Sequence, residues 1–372
     1  MGKQRQSNFE LLKILGMLMI LAHHFVAKNG FAFETQIRGL QFNKLFLQII
    51  GNHAFVGNNL FFLVSAWFLY DNGSDCSLQK SLRRIWKLER QMLFWSMGLL
   101  ILSIALGQVS LGMVVKSLFP MSTNLWWYAT TYAVFLLLYP YYHKALQSLG
   151  KANIKKWFAI MFGVWSITTL IPVFDYGANN LCAFVMLYAI VFYIKEFKPA
   201  ILSSKKLWRK MILLGYGLGF ASIIVLNIVG MKIPAAASYA CYYLRGNYRV
   251  LPMLISVSIF ILATQWNLKS RAINSLAATT FGVYLIHMYP WVQQKLFGEI
   301  LNLEKWIRNP FLPLLTIGIV LGLFVALSTL EWLRQKLFKV TFDKIDKSVI
   351  TTAQKMVGKV YRGAITYINK DL

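Results

Sequence analysis

Apolar stretches long enough to cross a bilayer recur between Phe9 and Leu333, separated by short segments that carry lysine and arginine. The hydrocarbon core of a membrane takes about 20 mostly apolar helical residues to cross. A soluble globule built from so many such stretches would lack the polar surface to cover them. Composition agrees with this: 57% of the 372 residues are hydrophobic and 14% are charged. Ordinary soluble domains are about a quarter charged. The mean hydropathy is +0.53. The pattern predicts an all-α polytopic membrane protein.

Ten segments fit a crossing, at 9–28, 48–70, 91–110, 124–143, 157–173, 180–195, 211–230, 250–267, 276–297 and 310–333. An even number puts both termini on one side. With that side cytoplasmic, three basic residues lie in the N-terminal stretch through Lys13. Five lie between Lys80 and Arg90, four between Lys144 and Lys156, and six between Lys195 and Lys210. Lys269 and Arg271 add two, and the tail from Arg334 adds nine. The inside thus holds 29 of the 39 Lys and Arg, leaving 10 outside. Such asymmetry is the positive-inside signature, and one missed helix would invert every later loop. The net charge of +26 therefore reads as topology and not as a nucleic-acid footprint.

Two regions follow, a membrane domain over 1–333 and a basic cytoplasmic tail over 334–372. In the tail, Phe338, Phe342, Ile345 and Val349 recur at helical spacing with lysines between them. This suits a helix lying on the anionic inner leaflet, with a partly ordered solubilising tail as the alternative. The first segment is expected to be a retained span, because no small-residue cleavage site follows it. Cys76, Cys182 and Cys241 are scattered, and no CxxC, HExxH, P-loop or GxGxxG pattern occurs. No metal is implied.

The first span, "NFELLKILGMLMILAHHFVAKNG" from Asn8 to Gly30, keeps Lys13, His23 and His24 in an apolar run. Lys13 and His24 are eleven residues apart, about three helical turns and roughly 16 Å along the axis. They share a face, while His23 is rotated by about 100°. Ionisable groups inside a membrane face a protein interior or a water-filled cavity. A base deep in a cavity with a cation at its cytoplasmic mouth suits an anionic substrate threading inward. Snorkelling by Lys13 and interfacial packing by the two histidines is the plainer alternative. Further along, His53 opens the second span and Trp126 and Trp127 the fourth, where interfacial positions are the default. His287 falls in the middle to outer part of the ninth segment. It either meets the depth of His24 or packs locally. Asp175 and Asn179 read as turn residues.

The chain resembles the integral-membrane acyltransferase 3 family, which includes bacterial cell-surface O-acetyltransferases. Lys13 and His24 match that family's basic residue, ten intervening residues and histidine, although the basic residue is more often arginine. "NNLFFLVSAWFL" (Asn58–Leu69), followed by "SLRRIWKLE", resembles its second-helix motif. "LWWYATTYAVFLLLYP" (Leu125–Pro140) and "FGVYLIHMYPW" (Phe281–Trp291) have its look too. Where the family usually has Ser-Gly, this chain has Ser65-Ala66. The resemblance implies transfer of an acyl group, commonly acetyl, from cytosolic acyl-CoA to a hydroxyl on an extracytoplasmic glycan, wall polymer or glycolipid, in a bacterial plasma membrane. Acyl-CoA is then the donor, and no acyl-enzyme is required.

On that reading, His24 is the catalytic base that takes the hydroxyl proton. Lys13, Arg84 and Lys87 are the expected acyl-CoA contacts, with Arg84 and Lys87 equally readable as positive-inside charges. His23, His53, Trp126 and His287 are candidates for substrate contacts. A transporter or flippase for a polar lipid is the competing class, and a scaffold or polymerase for surface glycans a further one. Broken helices in corresponding halves would favour transport, and no clear pair of them is visible in the sequence.

Overall fold

A computed structural model describes residues 6–31, 37, 39–71, 76–174 and 176–341. The described residues are helical, with no strand. The first crossing is α1 (Ser7–Lys28). Next come α2 (Phe42–Ile50) and α3 (Ala54–Tyr70), which form one apolar rod over Phe42–Tyr70. They are followed by α4 (Leu78–Ala105), the short α5 (Leu111–Leu118) and the long α6 (Trp127–Phe162). After α7 (Asn180–Phe197), α8 (Lys205–Gly230) and the short α9 (Pro234–Ser238), α10 (Val250–Thr264) re-enters the bundle. Three brief helices, α11 (Arg271–Ala277), α12 (Thr280–His287) and α13 (Pro290–Gln293), precede the terminal α14 (Leu312–Thr341).

Six helices are long and apolar enough to cross a membrane: Ser7–Lys28, Phe42–Tyr70, Leu78–Ala105, Asn180–Phe197, Lys205–Gly230 and Leu312–Lys339. The other four expected segments are helical but shorter or interrupted, each for a local reason. Val250–Thr264 has 15 residues, about 22 Å of helix, which falls short of a full hydrocarbon core. The 124–143 and 157–173 segments share one helical stretch, broken at Gly150 with φ 68° and ψ 169°. Only glycine adopts that backbone without strain. Beyond it the helix loosens into π and 3-10 turns over Gly163–Leu170. The 276–297 segment is broken by Pro290, which has no N–H for the helix before it and instead opens α13.

Two stretches expected as loops are helical. The basic run Lys80–Arg90 forms the first turns of α4, started by Ser77, whose side chain accepts from the Lys80 N–H. The 144–156 stretch is helix on both sides of Gly150. The first residues assigned to the tail continue α14, and Phe338 is buried against Phe94 with ring centroids 5.1 Å apart. The expected interfacial helix beyond Thr341 lies outside the described residues, as does Asp175. Asn179 caps α7, accepting from the Leu181 and Cys182 N–H groups at 2.9 and 3.2 Å.

Helix α1 sits at the centre. It runs antiparallel to α3, and the two meet at Gly16 and Gly57, where a Cβ on Gly57 would stand 2.6 Å from the Gly16 carbonyl oxygen. Close backbone approach at small residues is how membrane helices pack in the absence of a hydrophobic drive between them. At the end where α1 begins, Phe9 packs on Trp67, Phe68 and Phe260, and Asn8 donates to the Ala263 carbonyl at 2.8 Å. At the end where α1 finishes, Asn29 donates to the Leu301 carbonyl at 2.8 Å. These contacts fix α1 in register with α3, α10 and the segment before α14.

Replacing Gly57 by alanine forces α1 and α3 apart. We expect a loss of about 1–3 kcal/mol, the usual range for overpacking a tight contact. Thermal unfolding in detergent reads this directly, and an unchanged midpoint would show that the two helices do not depend on this approach.

Candidate functional site

His24 lies on the last turns of α1, and His287 is the last residue of α12, just before the break at Pro290. Their rings meet, with His24 Nδ1 3.0 Å from His287 Nε2. His287 is fully buried, whereas His24 keeps some accessible surface. His287 Nδ1 stands 2.6 Å from the Val283 carbonyl oxygen. A carbonyl only accepts, so His287 Nδ1 carries the hydrogen. The neutral ring then offers Nε2 as an acceptor, and His24 Nδ1–H donates to it. His24 Nε2 is left with a lone pair and no assigned proton. The hydrogen-bond network sets these tautomers, and the result is an imidazole with an oriented lone pair.

His23 points elsewhere, as a 100° rotation requires. Its Nδ1–H donates to the Gly51 carbonyl in the turn between α2 and α3, and its ring lies 5.6 Å from Phe55. The two neighbouring rings remain 5.1 Å apart, so His23 still borders the pair. His53 is not part of this group. It precedes α3, donates from Nδ1 to the Ile49 carbonyl and stacks on Tyr216 with centroids 5.3 Å apart. Trp126 corrects the expectation of an aromatic belt or an open sugar platform. It has no exposed surface, its indole N–H donates to the Leu285 carbonyl at 3.1 Å, and its ring lies 6.4 Å from Tyr289. It braces α12 two residues before His287.

Lys13 is 3.0 Å from Glu10, with about a quarter of its side chain exposed. Arg84 and Lys87 are three residues apart on α4, with Lys87 exposed and Arg84 half-buried over the Tyr139 ring at 6.0 Å. Ser65 donates to the Phe61 carbonyl at 3.1 Å and hydrogen-bonds Tyr132, on which the Arg84 charge also acts. The Ala66 methyl is fully buried in the apolar core beside it. From Tyr132 a run of phenols leads inward. The Tyr128 ring packs 6.2 Å from Tyr284, and Tyr284 lies 6.2 Å from His287. Phe61, Ser65, Tyr128 and Tyr132 are each partly accessible. An apolar groove of about 580 Å³ between the second half of α6, α7 and α10 contains none of these residues.

The family model for the acyltransferase domain, acyltransferase 3, matches residues 6–331. The chain belongs to the acyltransferase 3 family. No curated protein and no solved structure matches it. The match spans His24, His287 and Arg84 alike and makes the protein an acyltransferase. It lends no support to the transporter reading.

This acyltransferase also holds a buried carboxylate that sequence reasoning passed over. Glu331 of α14 has no exposed surface. Its oxygens accept from Gln91 at 3.1 Å and Trp95 at 2.9 Å on α4. Arg334 contributes bonds of 2.8 and 2.7 Å, and Gln335 one of 2.9 Å. The carboxylate presses so closely on α12 that a Cβ on Gly282 would sit 2.3 Å from its Cδ. The hub therefore ties α4 and α14 to the helix that ends in His287. An intramembrane carboxylate followed three residues later by arginine was the available signal.

Removing Glu331 takes the shared acceptor from four donor side chains, of which, among the described residues, Gln335 alone keeps another, the Ala278 carbonyl. Glu331→Ala is expected to destabilise by about 3–5 kcal/mol, as breaking a buried ion pair does, with Glu331→Gln milder because it keeps the shape and one acceptor. Comparing the detergent-solubilised unfolding midpoints of the two variants checks this order. Equal, small losses would remove the hub from the account.

Proposed function

We propose that this acyltransferase moves an acyl group, acetyl in the simplest case, from cytosolic acyl-CoA to a hydroxyl on an extracytoplasmic glycan or glycolipid, with His24 as general base. The observation that carries this reading is the lone pair on His24 Nε2, oriented by the Nδ1–H bond to His287. A sugar hydroxyl is a weak nucleophile at neutral pH. His24 Nε2 takes its proton as the oxygen attacks the thioester carbonyl. The C–S bond then breaks, and the departing thiolate of CoA takes the proton back from the imidazolium. Ester and free CoA are the products, and the base is regenerated. His287 touches neither substrate here and serves as a positioning residue.

The donor side of the proposal rests on Arg84 and Lys87. Both present cations from one face of α4, and guanidinium suits bidentate phosphate contacts. Lys13 lies further along α1 towards that end, ahead of His24. The acyl chain would follow the interior side lined by Ser65, Tyr132 and Tyr128. The ten-crossing topology with both termini cytoplasmic belongs to the same proposal, in a bacterial plasma membrane, and draws on the 29-to-10 division of basic residues. Ser65-Ala66 is compatible with it, since the Ala66 methyl points into packed core.

Three outcomes follow for the purified full chain. His24→Ala and His24→Asn should lower acyl transfer by about 10²–10⁴-fold, the contribution of a positioned base, with acyl-CoA binding largely kept. His23→Ala should be milder. Radiolabel transfer from acetyl-CoA reads the rate, and near-normal turnover in both position-24 variants would dismiss His24 as the base. The double variant Arg84→Gln with Lys87→Gln should weaken CoA binding measured by calorimetry, and an unchanged affinity in a folded protein would return those charges to topology. Cysteine labelling in intact cells should find 144–156 and the C-terminal tail shielded. External labelling of the tail would overturn the orientation.

A further inference from the structure

The end of the bundle where α1 finishes carries a second polar arrangement, next to His23. The Gly51 carbonyl that receives the His23 N–H belongs to the residue before Asn52. Asn52 is buried, and its Oδ1 accepts from Arg245 Nε at 3.0 Å. Arg245 is exposed. His23, whose ring lies 5.1 Å from that of His24, bonds the Gly51 carbonyl, and the next residue, Asn52, bonds a guanidinium at the surface.

That guanidinium is held by a rigid loop. Asn247, two residues on, is fully buried. It donates to Asn180 Oδ1 at 2.8 Å, and its carbonyl accepts from Asn59 Nδ2 at 2.9 Å. Arg249 closes the other side, with its guanidinium 3.4 Å from the Tyr242 ring centroid and donating to the Tyr242 carbonyl. The Asn52 contact uses only Nε, and Asn52 is neutral. Among the described residues no carboxylate pairs with Arg245. Two terminal NH₂ groups thus keep their charge in a fixed orientation, which matches the fork geometry of a carboxylate or phosphate. Preorganisation of this kind lowers the ordering cost of binding.

We propose that Arg245 anchors the acceptor, and that the acceptor carries an oxyanion, a carboxylate or a phosphate, near the hydroxyl that is acylated. This rests on the acyl-transfer reading above and narrows its acceptor to an acidic glycan or glycan phosphate. Asn52 orients the cation, and His23 lines the passage from it to His24.

The test uses the detergent-solubilised full chain, radiolabelled acetyl-CoA and three matched acceptors: a neutral glycoside, the corresponding uronide and the corresponding sugar phosphate. The protein should show a lower KM for at least one charged acceptor than for the neutral one, and the better of the two identifies the source of the oxyanion. Arg245→Gln should raise that KM by about 10–100-fold, the scale of a charge-assisted pair, with kcat changed far less. Arg245→Lys keeps the charge without the fork and should recover part of the loss. If Arg245→Gln fails to fold, the KM shift of Arg245→Lys and of Asn52→Ala decides. Lys295→Gln, at an exposed pair with Glu299 elsewhere, should leave every KM unchanged. Equal KM values for charged and neutral acceptors, or an equal loss on both in Arg245→Gln, overturn this inference while transfer itself stands. Absence of transfer to all three acceptors overturns the acyl-transfer reading and this one together.

Discussion

Two imidazoles separated by 263 residues in the chain meet at 3.0 Å inside a helical bundle. In hydrocarbon a polar ring without a partner is costly, so this contact governs the placement of what surrounds it. The His24 side requires α1 to lie deep among its neighbours, which the Gly16–Gly57 approach permits. The His287 side requires a helix to stop in mid-bundle, which Pro290 enforces. Trp126 and Glu331 then hold that interrupted helix from two directions. Broken helices in membranes are tolerated where they are buried in protein or line a cavity, and here the break delivers the last residue before it to the site.

The same arrangement explains why the two rings differ in the nitrogen each leaves unused. His287 is enclosed and spends one nitrogen on its own helix and the other on His24. His24 spends one nitrogen on His287 and keeps the other. Neither ring is distinguished by its sequence neighbours. The difference comes from the Val283 carbonyl, which takes the His287 Nδ1 hydrogen.

Much of this was legible in the sequence, and the limits have physical reasons. The apolar runs gave the fold class, and the Lys13–His24 spacing with the later histidine motif pointed to the family. His24 and His287 were both singled out, but helical periodicity gives a residue's face and not the helix it will meet. Their contact therefore stayed open. Glu331 was hidden within the last apolar run, where a single carboxylate hardly lowers the hydropathy. Arg245 was one of the outside charges that the topology argument set aside. Trp126 followed interfacial statistics in sequence but was drawn inward by a hydrogen bond to a backbone carbonyl of α12. Helix interruptions at Gly150 and Pro290 also escaped, because hydropathy windows average across them.

The central claim is that His287 acts only through His24, by fixing its tautomer. A double-mutant cycle on acyl-transfer rate with His24→Ala and His287→Ala tests it most directly, at matched protein levels and saturating donor. Groups that act as a unit are strongly non-additive. The account predicts a large loss for His24→Ala, a substantial loss for His287→Ala, and a double variant no slower than His24→Ala alone. Losses that multiply in the double variant would contradict it, since His287 would then be contributing to the reaction independently of His24.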